Sequence, residues 1–554
     1  MTFLYSTRSL KRNRLLKKIS MICLVLSLVF LFYLAKNGPD NELRLSSSFS
    51  SSIQHQRYHL HDNDQVQFSQ NQDEEVEIDV TVPRHALLDT IRKAKQDRLS
   101  RTKNTLPPVL PDRPKQPSLS PTTTITTIPE DKVFKSSRDD LYLPLGDGKD
   151  PNEKYLGFYP HSGFHNQRIA LVNALMLAER LNRTLLVPPV MLGNPIHWRK
   201  HDSLDSYHRR TSKARLTHCQ SYLNPQGKVA NDSITIPDDC QLSFKYTSLR
   251  WDRLFDLDNI KQRVRIRYRD DYERTYLERY YNISRADTYY IKDDVLYDYR
   301  IVEANRLNSS KPVTVGKYQR IITVQELEER SERMLSFGSL FGNGRVIVNN
   351  QMATLDYFNR QLIFQRSALP GLFDEMDRML HLLGGPSSYI AIHARVGDSI
   401  FERYAPQVME KLWSDLQIYV PLLKQQQPMK HNDRCYQTDD DLGPAIDWDK
   451  QVILDKRPLV MFMATDTPRP HEHELFQNIY DTFPCIVTLN DLFDFDTSPL
   501  ATMINPEDGV NYGKFLIPFL DGLMASRAQS FSGSMWSTFS KYIQFLHNVY
   551  TTSH

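Results

Sequence analysis

The chain has 554 residues, 40% hydrophobic and 24% charged, a balance that suits two or three globular domains and excludes a wholly disordered protein. Its net charge of +3 is concentrated at one end: residues 1–18 carry Arg8, Lys11, Arg12, Arg14, Lys17 and Lys18 and no acid. The remainder has no basic excess, which argues against nucleic acid as a partner.

After the basic tail (1–18), residues 19–35 (Ile19 to Ala35) carry no charge. As a helix rising about 1.5 Å per residue they would span roughly 26 Å, close to the roughly 27 Å core of a thin early-secretory bilayer. A single membrane anchor is expected. A cleaved signal peptide is the alternative, although Phe32 and Tyr33 stand where its cleavage site wants small residues. The positive-inside rule then puts residues 1–18 in the cytosol and everything after Lys36 in the lumen. Sequons at Asn182, Asn231, Asn282 and Asn308 all follow the anchor. Outside the span, four cysteines remain, enough for two disulfides in an oxidising compartment. Of three connectivities, Cys219–Cys240 and Cys435–Cys485 are favoured, because each pair brackets a local loop.

Residues 36–150 read as a stem. A serine run at Ser46–Ser52 precedes polar sequence and the Pro/Thr-rich stretch Leu106–Pro129, a composition that cannot bury a core and suits an extended spacer. Folded sequence begins near Tyr155. A helical period over Asn166–Leu181 leads into the short apolar run Thr184–Val190, a buried strand. Arg263 to Arg269 alternates strictly, which predicts a half-buried strand with arginines in a row on one face. Such a row is either solvated or turned to an anionic ligand. Beyond residue 340, apolar runs at Arg345–Val348, Tyr389–Ile392, Leu459–Met463 and Cys485–Thr488 are separated by helical patterns at Leu372–Leu383 and Pro470–Asp481. Strands alternating with helices predict an α/β protein with parallel sheets.

Ligands of parallel sheets sit beyond the carboxyl ends of the strands, and four motifs fall there. The first runs from Ser162 through Gly163 to Arg168 and opens a helix. Gly163 lets the backbone approach a ligand, the helix end favours anions, and Asn166 and Arg168 can donate to a nucleotide; a loop with an N-cap is the alternative. The second is the strand end His393-Ala394-Arg395, followed by Gly397 and Asp398. Arginine forks onto phosphate oxygens and keeps its charge. An Arg395–Asp398 structural pair is the alternative. The third ends an apolar strand in Thr465 and Asp466, a hydroxyl and a carboxylate suited to a base edge, a ribose or a helix cap. The fourth is the cluster Ser537, Thr538 and Ser540 after Gly533, opening the last helix, which suits a phosphate cradle.

Together these motifs resemble the GDP-fucose-dependent protein O-fucosyltransferase family and its α1,2- and α1,6-fucosyltransferase relatives. The resemblance covers residues 155–550, through Gly163–Arg168, His393–Asp398, Phe462–Asp466 and Phe519–Ser540. It implies a GT-B fold of two Rossmann-like domains facing a cleft, here 151–340 on the acceptor side and 341–554 binding the GDP-sugar. It also implies inverting, metal-independent transfer of fucose from GDP-fucose to a protein or glycan hydroxyl, with no cofactor. By the same resemblance Arg395 is catalytic and holds the diphosphate. Ser537, Thr538 and Phe539 contact phosphate, Asn166 belongs to the donor site, His393 and Asp466 lie near guanine, and Asp521 is the acid preceding the last motif.

Two departures stand out. Where one branch of the family has an acidic candidate base, this chain has Ser162, flanked by the candidate bases His161 and His165. The second acid that often follows the Ala-Thr-Asp strand end is replaced by Thr467 and Pro468. Three alternatives stay open. One is a metal-dependent transferase using Asp494 and Asp496 or Asp439 and Asp441. Another is a non-catalytic glycan-binding scaffold, and the third is a transferase for another nucleotide sugar. The anchor and stem suit a type II membrane protein of the Golgi or endoplasmic reticulum.

Overall fold

The computed structural model describes residues 150, 152–229, 235–273, 275–397, 399–426, 435–438 and 459–552. The tail (1–18), the anchor (19–35), the stem up to residue 149, Asn231, Asp398 and Asp439–Asp441 lie outside the described residues. No described helix is long and apolar enough to cross a membrane.

The described residues form a mixed α/β architecture dominated by parallel sheets. The first sheet has five parallel strands in the order β5-β2-β1-β9-β6: Ile266–Tyr268 (β5), Thr184–Val187 (β2), Tyr155–Phe158 (β1), Met334–Phe337 (β9) and Thr288–Ile291 (β6). Val190–Gly193 (β3) and Tyr246–Leu249 (β4) form an antiparallel pair. Tyr299–Val302 (β7), Arg320–Thr323 (β8) and Val346–Ile347 (β10) make a small parallel sheet in the order β10-β7-β8. The last sheet is parallel, β13-β12-β11-β14, built from Cys485–Thr488 (β13), Val460–Thr465 (β12), Ile390–Ala394 (β11) and Phe531–Gly533 (β14).

The central strands bury both faces, as parallel sheets covered by helices require. Every residue of β1, β2, β9 and β11 is buried, which is why the sequence shows continuous apolar runs there and little alternation. Helix α1 (Phe164–Leu181) is buried on most of its circumference and ends at Asn182, whose left-handed φ of 50° completes the C-cap. Helices α2 (Gln351–Gln361) and α6 (Thr538–Thr552) pack on α1, α4 (Ala405–Leu416) packs on β11, and α3 (Pro370–Leu382) and α6 pack on α5 (Gly513–Ser526). One hydrophobic core runs without a break from Leu156 in β1 to Leu546 in α6. Its aromatic centre joins Phe164 of α1 to Phe519 of α5, ring centroids 4.5 Å apart, with Phe364 against both.

The expected disulfides Cys219–Cys240 and Cys435–Cys485 are present. Asn182, Asn282 and Asn308 are exposed, and Asn282, like Asn182, is a left-handed helix cap. Two expectations fail. The arginine row is not one strand face. Arg263 ends the helix Asp258–Arg263 and pairs with Glu179. Arg265 donates to the Asn182 carbonyl and Arg267 pairs with Glu153. Buried Arg269 lies against the Tyr159 and Tyr272 rings. The half-buried strand is present over Ile266–Tyr268, but Arg263 and Arg265 are exposed, Arg267 is half-buried and Arg269 is buried, so the four do not share one face. The helix expected over Pro470–Asp481 is broken into two 3₁₀ turns before the short helix Gln477–Thr482. Val346–Ile347 pairs with β7, so the last sheet begins only at Ile390.

Candidate active site

The carboxyl end of β11 is clamped from three sides. On the β14 side, the Ser534 hydroxyl donates to the His393 carbonyl (2.9 Å) and accepts from the Arg395 amide (2.7 Å). On the β12 side, the Asp466 carboxylate accepts from the amides of Val396 (2.9 Å) and Gly397 (3.1 Å). From α6, the Ser540 hydroxyl lies 2.6 Å from His393 Nδ1. Gly533 makes the last contact possible: a Cβ there would lie 2.6 Å from the Ser540 Cβ. Arg395, half-buried, therefore leaves the sheet on a fixed backbone, its guanidinium 4.4 Å above the Phe401 ring. Asp466 is placed as the tether of this turn, with backbone amides as partners.

The first and last motifs, far apart in sequence, meet here. Thr538 Oγ1 at the start of α6 donates to Asn166 Oδ1 in the first turn of α1 (3.1 Å). The buried Ser537 acts as the N-cap of α6, its hydroxyl accepting from the Ser540 amide (3.2 Å). Two helix N-termini thus meet at the carboxyl end of β11, and each carries partial positive charge suited to an anion. The Phe539 ring stacks on His165 (4.9 Å) and meets His393 edge-on (4.9 Å). Gly522 lets α5 reach that ring, since a Cβ there would lie 2.8 Å from it.

The residues of the first motif divide by helix face. His165 and Arg168 stand at i and i+3 on one face, and both turn to Tyr542 of α6. Arg168 is buried and donates to Asn359 Oδ1 (2.8 Å), so it ties α1 to α2. The helix N-cap Gly163 is extended, with open space at its Cβ position. His165 is enclosed by Phe164, Phe519, Phe539 and Tyr542, and neither ring nitrogen has a hydrogen-bond partner. Burial, with the nearby charge of Arg168, drives its pKa well below the usual value and keeps it neutral.

His161 is differently committed. Its Nδ1 lies 2.8 Å from the Ser162 hydroxyl and its Nε2 2.6 Å from that of Ser339. Burial, with Arg345 and His208 adding to it, pushes its pKa down to about 3. Both nitrogens are engaged, so as a base it could act only through one of those hydroxyls. Sequence reasoning missed Ser339 and its neighbours Asp293 and Arg345. Asp293 follows β6 and Ser339 follows β9, at the carboxyl end of the first sheet. A buried Asp or Ser beyond an apolar run was the available signal.

Asp521 is buried within α5. It accepts a backbone hydrogen bond from Thr465 at the end of β12, while its Oδ1 has no partner. Burial raises its pKa well above the carboxylate range. Asp494 and Asp496 are exposed and locally engaged: the Asp496 amide donates to Asp494 (3.1 Å), and the Asp496 carboxylate faces Lys228 (3.4 Å).

The buried histidines carry a pH prediction. His161 and His393 titrate at about 3 and His208 at about 4, below the ordinary value of 6.5. The folded state binds fewer protons, so their stabilisation is full above pH 6.5 and is lost as pH falls towards 4 for His208 and towards 3 for His161 and His393. Each such group costs about 1.4 kcal/mol per pH unit in that window. Asp293, pushed up to about 7 by burial, and Asp521, pushed well above the carboxylate range, run the other way, but they are two groups against five, since burial also lowers His165 and His547. The melting temperature should fall steeply between pH 6.5 and 5. A melting temperature that is flat across this range would show that the histidines are not buried neutral.

No family model matches the chain. A 39-residue segment is 51% identical to O-fucosyltransferase 30 of Arabidopsis thaliana, covering 7% of this chain and 8% of that protein. The chain therefore matches only a small part of this curated relative's length. Among solved structures, similarity extends to POFUT1 in complex with GDP-fucose, over 72% of this chain and 95% of that one, at 12% identity and a TM-score of 0.32. It extends likewise to the NodZ alpha-1,6-fucosyltransferase soaked with GDP-fucose, over 71% and 92%, at 12% identity and a TM-score of 0.28.

Proposed function

We propose that this chain is a glycosyltransferase that moves fucose from GDP-fucose to a hydroxyl of a protein or glycan acceptor, with inversion and without a metal. The observation that carries the reading is the convergence of Asn166, Thr538 and the N-terminus of α6 at the carboxyl end of β11, the strand that Arg395 follows. That arrangement concentrates positive potential where a diphosphate would leave. The fucosyl part rests on the motif resemblance and on the short match to a protein named O-fucosyltransferase 30. In this reading the chain has two Rossmann-like halves, 151–340 and 341–554, facing a cleft in the GT-B manner. The basic tail, the apolar 19–35 segment and the stem tether it as a type II protein in the Golgi or endoplasmic reticulum.

In a dissociative glycosyl transfer the sugar becomes oxocarbenium-like as the bond to the diphosphate breaks. The catalytic demand is then to stabilise the negative charge on the leaving group, and prepositioned cations and helix dipoles meet it. Arg395 supplies the cation, and α6 with the Asn166–Thr538 contact supplies the dipole. In this reading the nucleoside takes the β12 side, because the resemblance puts His393 and Asp466 near guanine. The acceptor proton leaves late, to solvent, so a strong base is not demanded, and Ser162 in the acid's place is compatible with turnover.

A donor screen tests this. Incubated with GDP-fucose, GDP-mannose and UDP-glucose, the full-length chain should slowly release nucleoside diphosphate from GDP-fucose alone, equally well in a chelator. Release from a different donor would replace the sugar. Loss of activity in chelator would revive the Asp494/Asp496 alternative. No release and no calorimetric GDP binding would favour the non-catalytic scaffold that Ser162 motivates.

A further inference from the structure

Trp536 is 54% exposed and holds a left-handed backbone, φ 61°. A bulky L residue keeps that conformation only where its surroundings over-determine it. Here both sides are fixed: Ser534 is fastened to β11 and Ser537 caps α6. The chain thus turns its indole outward at the edge of the candidate active site. Tyr404, 38% exposed, meets it with ring centroids 5.6 Å apart and planes at 64°. An edge-on contact of this kind leaves ring face uncovered. Tyr404 stands three residues beyond Phe401, the ring beneath the Arg395 guanidinium. In the sheet, Trp536 follows β14, on the opposite side of β11 from β12 and its Asp466.

We propose that Trp536 and Tyr404 form a carbohydrate-stacking subsite that takes one pyranose ring of a glycan acceptor, beside the donor diphosphate. The proposal rests on the transferase reading above and narrows its acceptor from protein or glycan to glycan. The negative face of an aromatic ring attracts the weakly positive C–H face of a sugar. Size argues against a protein surface: a stable interface covers about 800 Å² per partner. Among the described residues after Met352, Tyr404 and Trp536 are the large apolar side chains left exposed. Two rings match one sugar. Position argues against the nucleobase, which the same reading puts on the β12 side.

The test titrates the full-length chain by calorimetry with neutral tetrasaccharides of glucose, galactose, mannose and xylose, and separately with GDP. At least one tetrasaccharide should bind. Trp536→Ala should weaken it at least about tenfold, while Trp536→Phe, which keeps a ring, should stay within about threefold. The proposal is overturned if no tetrasaccharide binds, if Trp536→Ala binds as tightly as the parent, or if both variants lose affinity alike. It is also overturned if the variants lose GDP rather than sugar, because the rings would then serve the nucleoside. Failure of the parent chain to bind GDP, with Trp536-dependent sugar binding intact, would sink the donor reading and leave the subsite standing.

Discussion

Replacing Arg395 by alanine is expected to lower turnover of GDP-fucose by at least about 10²-fold while leaving the fold intact. The size follows from the usual cost of removing one donor that stabilises leaving-group charge. The fold should survive because the contacts that fix this turn are made by backbone: the Arg395 amide binds Ser534, and Val396 and Gly397 bind Asp466. The side chain is half-exposed, and its contact with Phe401 is worth about 1 kcal/mol. Arg395→Lys separates charge from geometry. Lysine keeps the cation but loses the planar fork, so an intermediate loss is expected. The measurement is the initial rate of GDP release at saturating donor, beside a thermal melt of each variant. Near-parental turnover in a well-folded Arg395→Ala protein would remove Arg395 from the chemistry.

Much of this site was legible because its strands are buried on both faces. Such strands stand out as short apolar runs, and the polar residue that ends each run is conspicuous: His393 at the end of β11 and Asp466 after β12. The disulfides were legible because each closes a local loop. What a polar residue does at its strand end was harder to read. Asp466 resembled a ligand-reading carboxylate, yet the structure gives it the amides of Val396 and Gly397. Arg168 resembled a nucleotide contact, yet its place on the His165 face of α1 turns it to Tyr542 and Asn359. Local spacing carries no information about partners beyond the next turn, and the Thr538–Asn166 bond joins opposite ends of the folded region. The first sheet and the small β10-β7-β8 sheet were less legible for another reason. Strands β6 and β7 mix tyrosines and an arginine with aliphatics, and their tyrosines range from buried to exposed, so neither periodicity is clean.

The polar cluster at the carboxyl end of that first sheet should be as costly to break as the core itself. Arg345 is fully buried, and its Nη1 lies 3.5 Å from Asp293 Oδ1. It also donates to the carbonyls of Phe341 and Leu296 (2.6 Å each) and lies against the Tyr299 and Tyr318 rings. Asp293 in turn accepts from the Ser339 amide, and Ser339 holds His161. Breaking a buried pair by removing one partner strands the other charge, which typically costs about 3–5 kcal/mol. Arg345→Ala should therefore destabilise the protein by about that amount. The loss should also depend on pH. Burial already pushes Asp293 up to about 7, and Arg345 is the first influence opposing that rise. Without it the folded-state pKa climbs further, so the folded form more strongly prefers protonated Asp293, and the deficit is largest at pH 8 and shrinks as pH falls towards 5. Arg345→Met with Asp293→Asn removes both charges and should recover part of the loss, since no carboxylate is left unpaired. Chemical denaturation of the three proteins at pH 8 and pH 6 separates these outcomes. A double variant less stable than Arg345→Ala at both values would show that the cluster acts through packing and hydrogen bonds, with the charge pair secondary.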